Sequence, residues 1–228
     1  MATLFFDNNI PIGYCFIQDP QHKKAKTAFN SKSLIYWSKN VKYEFKKVFN
    51  NKILILEDFI YSIKSKLNDI KEILDKNRLI DIIFSLKNQY FTQKSIKIIV
   101  NDIWNSANFN EKILSSEIIG YLEDYKRSFK KIAIKFKSDC YKQINMHERT
   151  KLYPKIETLL KNCVDGEDSL KKLGNDMNII LDAHDLSYNS NIFKLAFITD
   201  DIPLFHCKNL IETHTKIYDV CNLHEYEF

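Results

Sequence analysis

Four carboxylates stand where α/β proteins do chemistry. Asp7 closes the apolar run Ala2-Thr3-Leu4-Phe5-Phe6, and Asp201 follows the run Phe197-Ile198-Thr199-Asp200. Glu44 lies just beyond Tyr36-Trp37-Ser38, inside a helical run, and Asp176 opens the run that ends at Ala183. Ligands of α/β sheets bind just outside the carboxyl ends of the strands. Acids converging there repel: two unit charges about 4 Å apart cost about 1 kcal/mol in bulk water, and more inside a protein. Such a cluster needs a cation or extra protons. Carboxylates without His or Cys suit Mg²⁺ or Mn²⁺ rather than Zn²⁺. Ions of that kind lower the pKa of a bound water, orient it on a phosphodiester and stabilise the leaving oxygen.

These acids have competitors. Asp168, Asp182 and Asp185 rival Asp176, and Asp182 lies on another face of the same helix, where it reads as a supporting acid. Asp200 rivals Asp201, and the spacing Thr-x-Asp favours Asp201. Glu44 sits among Lys42, Lys46 and Lys47, a context that also suits a solvated helix face.

The elements that would carry them follow from periodicity. Residues 2–6 read as a buried strand, and residues 10–18 begin a helix that Asp19-Pro20 breaks. His22 to Lys26 reads as an exposed basic stretch. Residues 34–37 read as a second strand. Ser38 is a candidate N-cap for a helix over about 39–50, because Val41, Phe45 and Val48 recur at helical spacing. Leu56, Phe59, Ile60, Ile63, Leu67, Ile70 and Leu74 continue in threes and fours, which predicts a long amphipathic helix. Similar patterns return at 79–86, 115–136 and 151–160. Gly174-Asn175 breaks the chain before a helix over about 176–186. A strand over 193–199, a short helix at 209–212 and a strand over 216–220 follow. Strand–helix alternation at both ends predicts a parallel α/β sheet built from the two termini. Residues 1–50 and 174–228 would form that core, with 51–173 as a helical insertion packed on it.

Composition bounds the rest. The 228 residues are 45% hydrophobic, with 16 Phe and 12 Tyr, enough for a packed core. Four Gly and four Pro are few for this length and favour long helices. The formal charge of +5 permits nucleic-acid binding without demanding it. Cys15, Cys140, Cys163, Cys207 and Cys221 show no zinc spacing and read as free, mostly buried thiols of a reducing cytoplasm. Neither a signal peptide nor a transmembrane segment is expected.

With these motifs in order, the chain resembles the PIN-domain nuclease family. Phe6-Asp7-Asn8-Asn9 matches its strand followed by Asp-x-Asn, with Asn8 where many members carry a hydroxyl residue. Tyr36-Trp37-Ser38 followed by Glu44 matches its second motif. Asp176, Ile179-Ile180 and Ala183 match the third, and Thr199-Asp200-Asp201 the fourth. The resemblance implies a three-layer α/β domain with a central parallel sheet, helix-rich, here with an all-helical insertion. It implies an Mg²⁺- or Mn²⁺-dependent endoribonuclease with Asp7, Glu44, Asp176 and Asp201 as catalytic acids. Asp7 and Asp201 would ligate the metal directly, and Glu44 and Asp176 would complete the site directly or through waters. Thr199, Asn9, Asp182 and Asp200 would support them. RNA is the implied partner, and an antitoxin or a second copy of the chain would fit the toxin branch. The other class open to this chain is a non-catalytic module of the same fold that binds RNA or protein.

Tyr125 to Lys137 is the most basic stretch. Arg127, Lys131 and Lys135 share a helix face and, with Lys126 and Lys130, could track phosphates. An amphipathic helix with a solvated cationic face would look the same. Trp37 reads as core, and His184 as a helix histidine without a catalytic role.

Overall fold

The computed structural model describes residues 2–70, 72–86, 91–109, 111–162, 174–190 and 192–228. Cys163 and Asp168 lie outside the described residues. In chain order the elements are β1 (Thr3–Phe6), α1 (Asn9–Cys15), α2 (His22–Asn30), β2 (Leu34–Ser38) and α3 (Lys39–Asn68). The middle holds β3 (Ile73–Leu74), α4 (Lys76–Phe84), α5 (Gln93–Ser106), β4 (Ile113–Leu114), α6 (Ser115–Gln143), β5 (Asn145–His147) and α7 (Pro154–Asn162). The last part holds α8 (Gly174–Asn189), β6 (Leu195–Thr199), α9 (Ile202–His206), α10 (Lys208–His214) and β7 (Asp219–Asn222).

Among the described residues, the main sheet has five strands in the order β5-β2-β1-β6-β7, and every pairing in it is parallel. The protein is therefore an α/β fold around a central parallel sheet, compatible with three layers. β1 lies in the middle, and Leu4, Phe5 and Phe6 are wholly buried. All of β6 is buried as well. Strands covered on both faces read as unbroken apolar runs, which is how both appear in the sequence.

α3 is longer than its sequence pattern suggests. The expected end near 50 and the fresh start near 56 are one 30-residue helix. Ser38 caps it as expected, its Oγ accepting from the Val41 N–H at 3.3 Å. One buried stripe runs through it, from Val41, Phe45 and Phe49 through Ile53 and Leu56 to Ile60, Ile63 and Leu67. Asn50 and Asn51 are weak helix formers, and burial of the stripe on either side overrides them. The boundary read after residue 50 thus falls inside a helix. β5, from the stretch read as insertion, pairs with β2 in the main sheet. The segment read as helical also holds the antiparallel pair β3–β4. α6 packs on both α3 and α1, and one continuous core joins the helical middle to the sheet.

His22 to Lys26 forms the first half of α2; Lys23, Lys24 and Lys26 are exposed, and Ala25, Ala28 and Phe29 are the helix's buried face. The last strand lies at Asp219–Asn222, shifted from the expected 216–220. Trp37 is core, packed on Phe45 and Tyr141. Cys15, Cys140, Cys207 and Cys221 are free and buried. Among the described residues, no helix is long and apolar enough to cross a membrane.

Candidate functional site

The sheet order sets the site. From β1 the chain moves to β2 on one side, and from β6 to β7 on the other. The gap between the neighbours β1 and β6 is therefore the topological switch point, where open α/β sheets leave a crevice. The register pairs Phe6 with Ile198, and the Asp7 N–H donates to the Ile198 carbonyl at 3.0 Å. Asp7 and the Thr199-Asp200-Asp201 segment so leave the sheet side by side at its carboxyl edge.

Thr199 joins the two acids. Its buried hydroxyl donates to Asp7 Oδ2 at 2.8 Å and accepts from the Asp201 N–H at 3.0 Å. Asp7 Oδ1 accepts from the Asn8 N–H at 2.6 Å. Asp7 is only 5% exposed. Burial pushes its carboxyl up to about 7, although the bonds from Thr199 and Asn8 pull it down; Asp176 and Glu44 add to the rise. Asp201 caps α9, its Oδ1 accepting from the Leu204 N–H at 2.9 Å.

Asp176 lies in the first turn of α8. Burial lifts its carboxyl to about 6, helped by the charges of Asp201 and Glu44. Glu44, on α3, is also raised by burial, and Lys47 partly offsets this. The four acids thus form one electrostatic group: Asp7 senses Asp176 and Glu44, and Asp176 senses Asp201. Among the described residues, however, no three His, Cys, Asp or Glu side chains are placed to hold a metal ion between them.

The supporting residues divide differently from expectation. Asn9 is exposed, and the N–H that steadies Asp7 belongs to Asn8. Among the described residues, Asn8 Oδ1 and Gln21 Oε1 are buried oxygens that meet no donor. Asp200 is held by Gln21 Nε2 at 2.8 Å, and burial raises its carboxyl. Asp182 pairs with Arg149 Nε at 3.3 Å and accepts from Asn40 Nδ2 at 2.9 Å. Asp185 is the centre of a network with His147, Thr150, Tyr153 and Asn189. His184 accepts from the Lys216 N–H through Nδ1 at 2.9 Å, and burial lowers its pKa, so its ring is a neutral structural acceptor.

The basic stretch lies on α6. Of the five cations expected to track phosphates, three meet carboxylates: Lys126 with Glu123 at 2.7 Å, Arg127 with Asp124 at 3.7 Å and Lys130 with Glu57 at 3.0 Å. Lys131 and Lys135 are exposed. Sequence reasoning missed the cleft beside Glu44, between α3 and α8, of about 520 Å³. No local pattern marks it, because its walls come from residues near 44 and near 178.

No family model, curated protein or solved structure matches this chain.

Proposed function

We propose that this chain is a metal-dependent nuclease of PIN-like architecture, acting on RNA. The observation that carries the reading is the Thr199 bridge: one buried hydroxyl ties Asp7 to the Asp201 backbone at the switch point, with Glu44 and Asp176 in charge contact. Raised carboxyls in a crevice are a common mark of a functional site. The donor set fits a hard divalent cation. It is all oxygen, it is crowded with like charge, and the donorless Asn8 Oδ1 lies next to it in the chain. Asp7 and Asp201 would hold Mg²⁺ or Mn²⁺, with Glu44 and Asp176 completing the shell directly or through waters. The bound cation supplies an activated water and charge stabilisation at the phosphodiester. Thr199 fixes the direction of the Asp7 carboxylate, the task of an outer hydrogen bond at a metal site. A cytoplasmic setting and restraint by an antitoxin or a second copy belong to the same proposal.

A non-catalytic RNA- or protein-binding module is the second reading. It is favoured by the carboxylates' not being drawn around one point.

Metal-dependent melting separates the two. Mn²⁺ at about a hundred times its Kd stabilises a binding protein by about 2.7 kcal/mol. Because the cation must displace protons from Asp7 and Asp176, the upward shift in Tm should grow as pH rises from 5 to 8. Asp7→Asn should abolish it. No shift with either ion at any pH would remove the catalytic reading.

A further inference from the structure

We infer that the cleft between α3 and α8 is a subsite for one unpaired base of a single-stranded nucleic acid. The inference rests on the nuclease reading of the acids beside it. The cleft is lined by Asn40, Tyr43, Glu44, Lys47, Asn51 and Asn178, among others. Glu44 places it directly beside the acidic group. Its volume of about 520 Å³ lies in the range of small-ligand sites, about 300–1,000 Å³, and is too small for a duplex.

The chemistry of the walls matches a base more closely than a phosphate or a peptide charge. Tyr43 is 74% exposed, an aromatic face without a covering element, suited to stacking. Two amides at the cleft have fixed senses. Asp182 can only accept, so Asn40 must give it Nδ2 and keep Oδ1 as an acceptor. Arg149 can only donate, so Asn178 must give it Oδ1, at 3.1 Å, and keep Nδ2 as a donor. The Arg149–Asp182 pair at 3.3 Å therefore sets one acceptor and one donor at the same cleft. That complement is what an unpaired base edge offers, and a base already in a duplex has spent it. Exposed Lys47 can meet the adjoining phosphate.

Binding of short fluorescein-labelled RNA homopolymers, read by anisotropy with Ca²⁺ in place of Mn²⁺, tests this. Tyr43→Ala should weaken binding about 5- to 100-fold, and Tyr43→Phe should keep it. Asn178→Asp keeps the Arg149 contact but loses the donor, so it should reorder the preference among the four homopolymers. An unlabelled duplex should compete poorly. Tyr43→Ala binding as tightly as wild type would overturn the subsite, as would equal competition by duplex or no binding of any homopolymer. Wild-type protein that binds through Tyr43 yet never cuts in Mn²⁺ would keep the subsite and overturn the nuclease reading. Cutting in Mn²⁺ with Tyr43→Ala binding unchanged would do the reverse.

Discussion

Asp7→Asn protein should melt about 4–8 °C above wild type at pH 8 in EDTA, while losing its response to Mn²⁺. A carboxylate that is 5% exposed and beside other acids is expensive to ionise. Its rise from 3.8 to about 7 corresponds to roughly 4 kcal/mol of destabilisation at high pH. The amide removes that cost. It also offers only one oxygen where Asp7 accepts from both Asn8 and Thr199, and the buried donor left unpaired takes back about 2 kcal/mol. The net gain of about 2 kcal/mol gives the stated shift for a chain of this size.

The pH dependence has a definite sign. Between 3.8 and about 7 the folded chain keeps a proton on Asp7 that the unfolded chain releases. Wild-type stability without metal should therefore fall as pH rises through that interval, with Asp176 contributing up to about 6. Asp7→Asn should be the more stable of the two above pH 7, and the order should reverse toward pH 4, where the ionisation cost is gone and only the variant's lost bond remains. Urea midpoints across this range measure it. A variant less stable than wild type at pH 8 would show that Asp7 is a structural acceptor rather than a strained acid.

Asp185→Ala should have the opposite character and a larger effect, a loss of about 3–5 kcal/mol at neutral pH. Asp185 is wholly buried. It accepts from the Thr150 N–H at 3.1 Å, the Tyr153 hydroxyl at 2.7 Å and Asn189 Nδ2 at 2.7 Å, with His147 Nε2 at 3.0 Å. Removing the acceptor strands these groups and loosens α8 from the segment after β5. Burial opposes ionisation of Asp185, but these bonds outweigh it and hold the carboxyl below its ordinary 3.8. Its contribution is therefore full above about pH 4 and is lost as pH falls through the depressed value. Urea denaturation at pH 7 and at pH 3 should show a wide gap from wild type that narrows in acid. Because α8 also carries Asp176, the variant should lose activity at temperatures where it remains largely folded. An Asp185→Ala protein within 1 kcal/mol of wild type at pH 7 would contradict the network's role.

The strands that carry Asp7 and Asp201 were legible because Leu4-Phe5-Phe6 and Leu195 to Thr199 are buried on both faces and so read as solid apolar runs. Ser38 announced the start of α3 through its capping oxygen. The continuity of α3 was not legible, because local propensity at Asn50-Asn51 says stop while tertiary burial of Phe49, Ile53 and Leu56 says continue. β5 was invisible for another reason: Asn145-Met146-His147 is a three-residue edge strand with no apolar alternation, and only its pairing with β2 makes it one. At the site, the side-chain types of the acids pointed to themselves. The Asn8 N–H did not, since a backbone donor leaves no mark on residue identity. Nor did the set Asn40, Arg149, Asp182 and Asn178, whose members come from three distant segments and whose roles follow only from who faces whom.

In the function we propose, the acids at the switch point cut phosphodiesters with a bound divalent cation. Purified wild-type and Asp7→Asn proteins should be incubated with labelled single-stranded RNA and DNA pools in Mn²⁺, Mg²⁺ or EDTA. Cleavage of the RNA pool by wild type with either ion, absent in EDTA and in Asp7→Asn, is the expected result. Cleavage that persists in EDTA or in Asp7→Asn, or no cleavage of either pool by folded wild-type protein with both ions present, would contradict it.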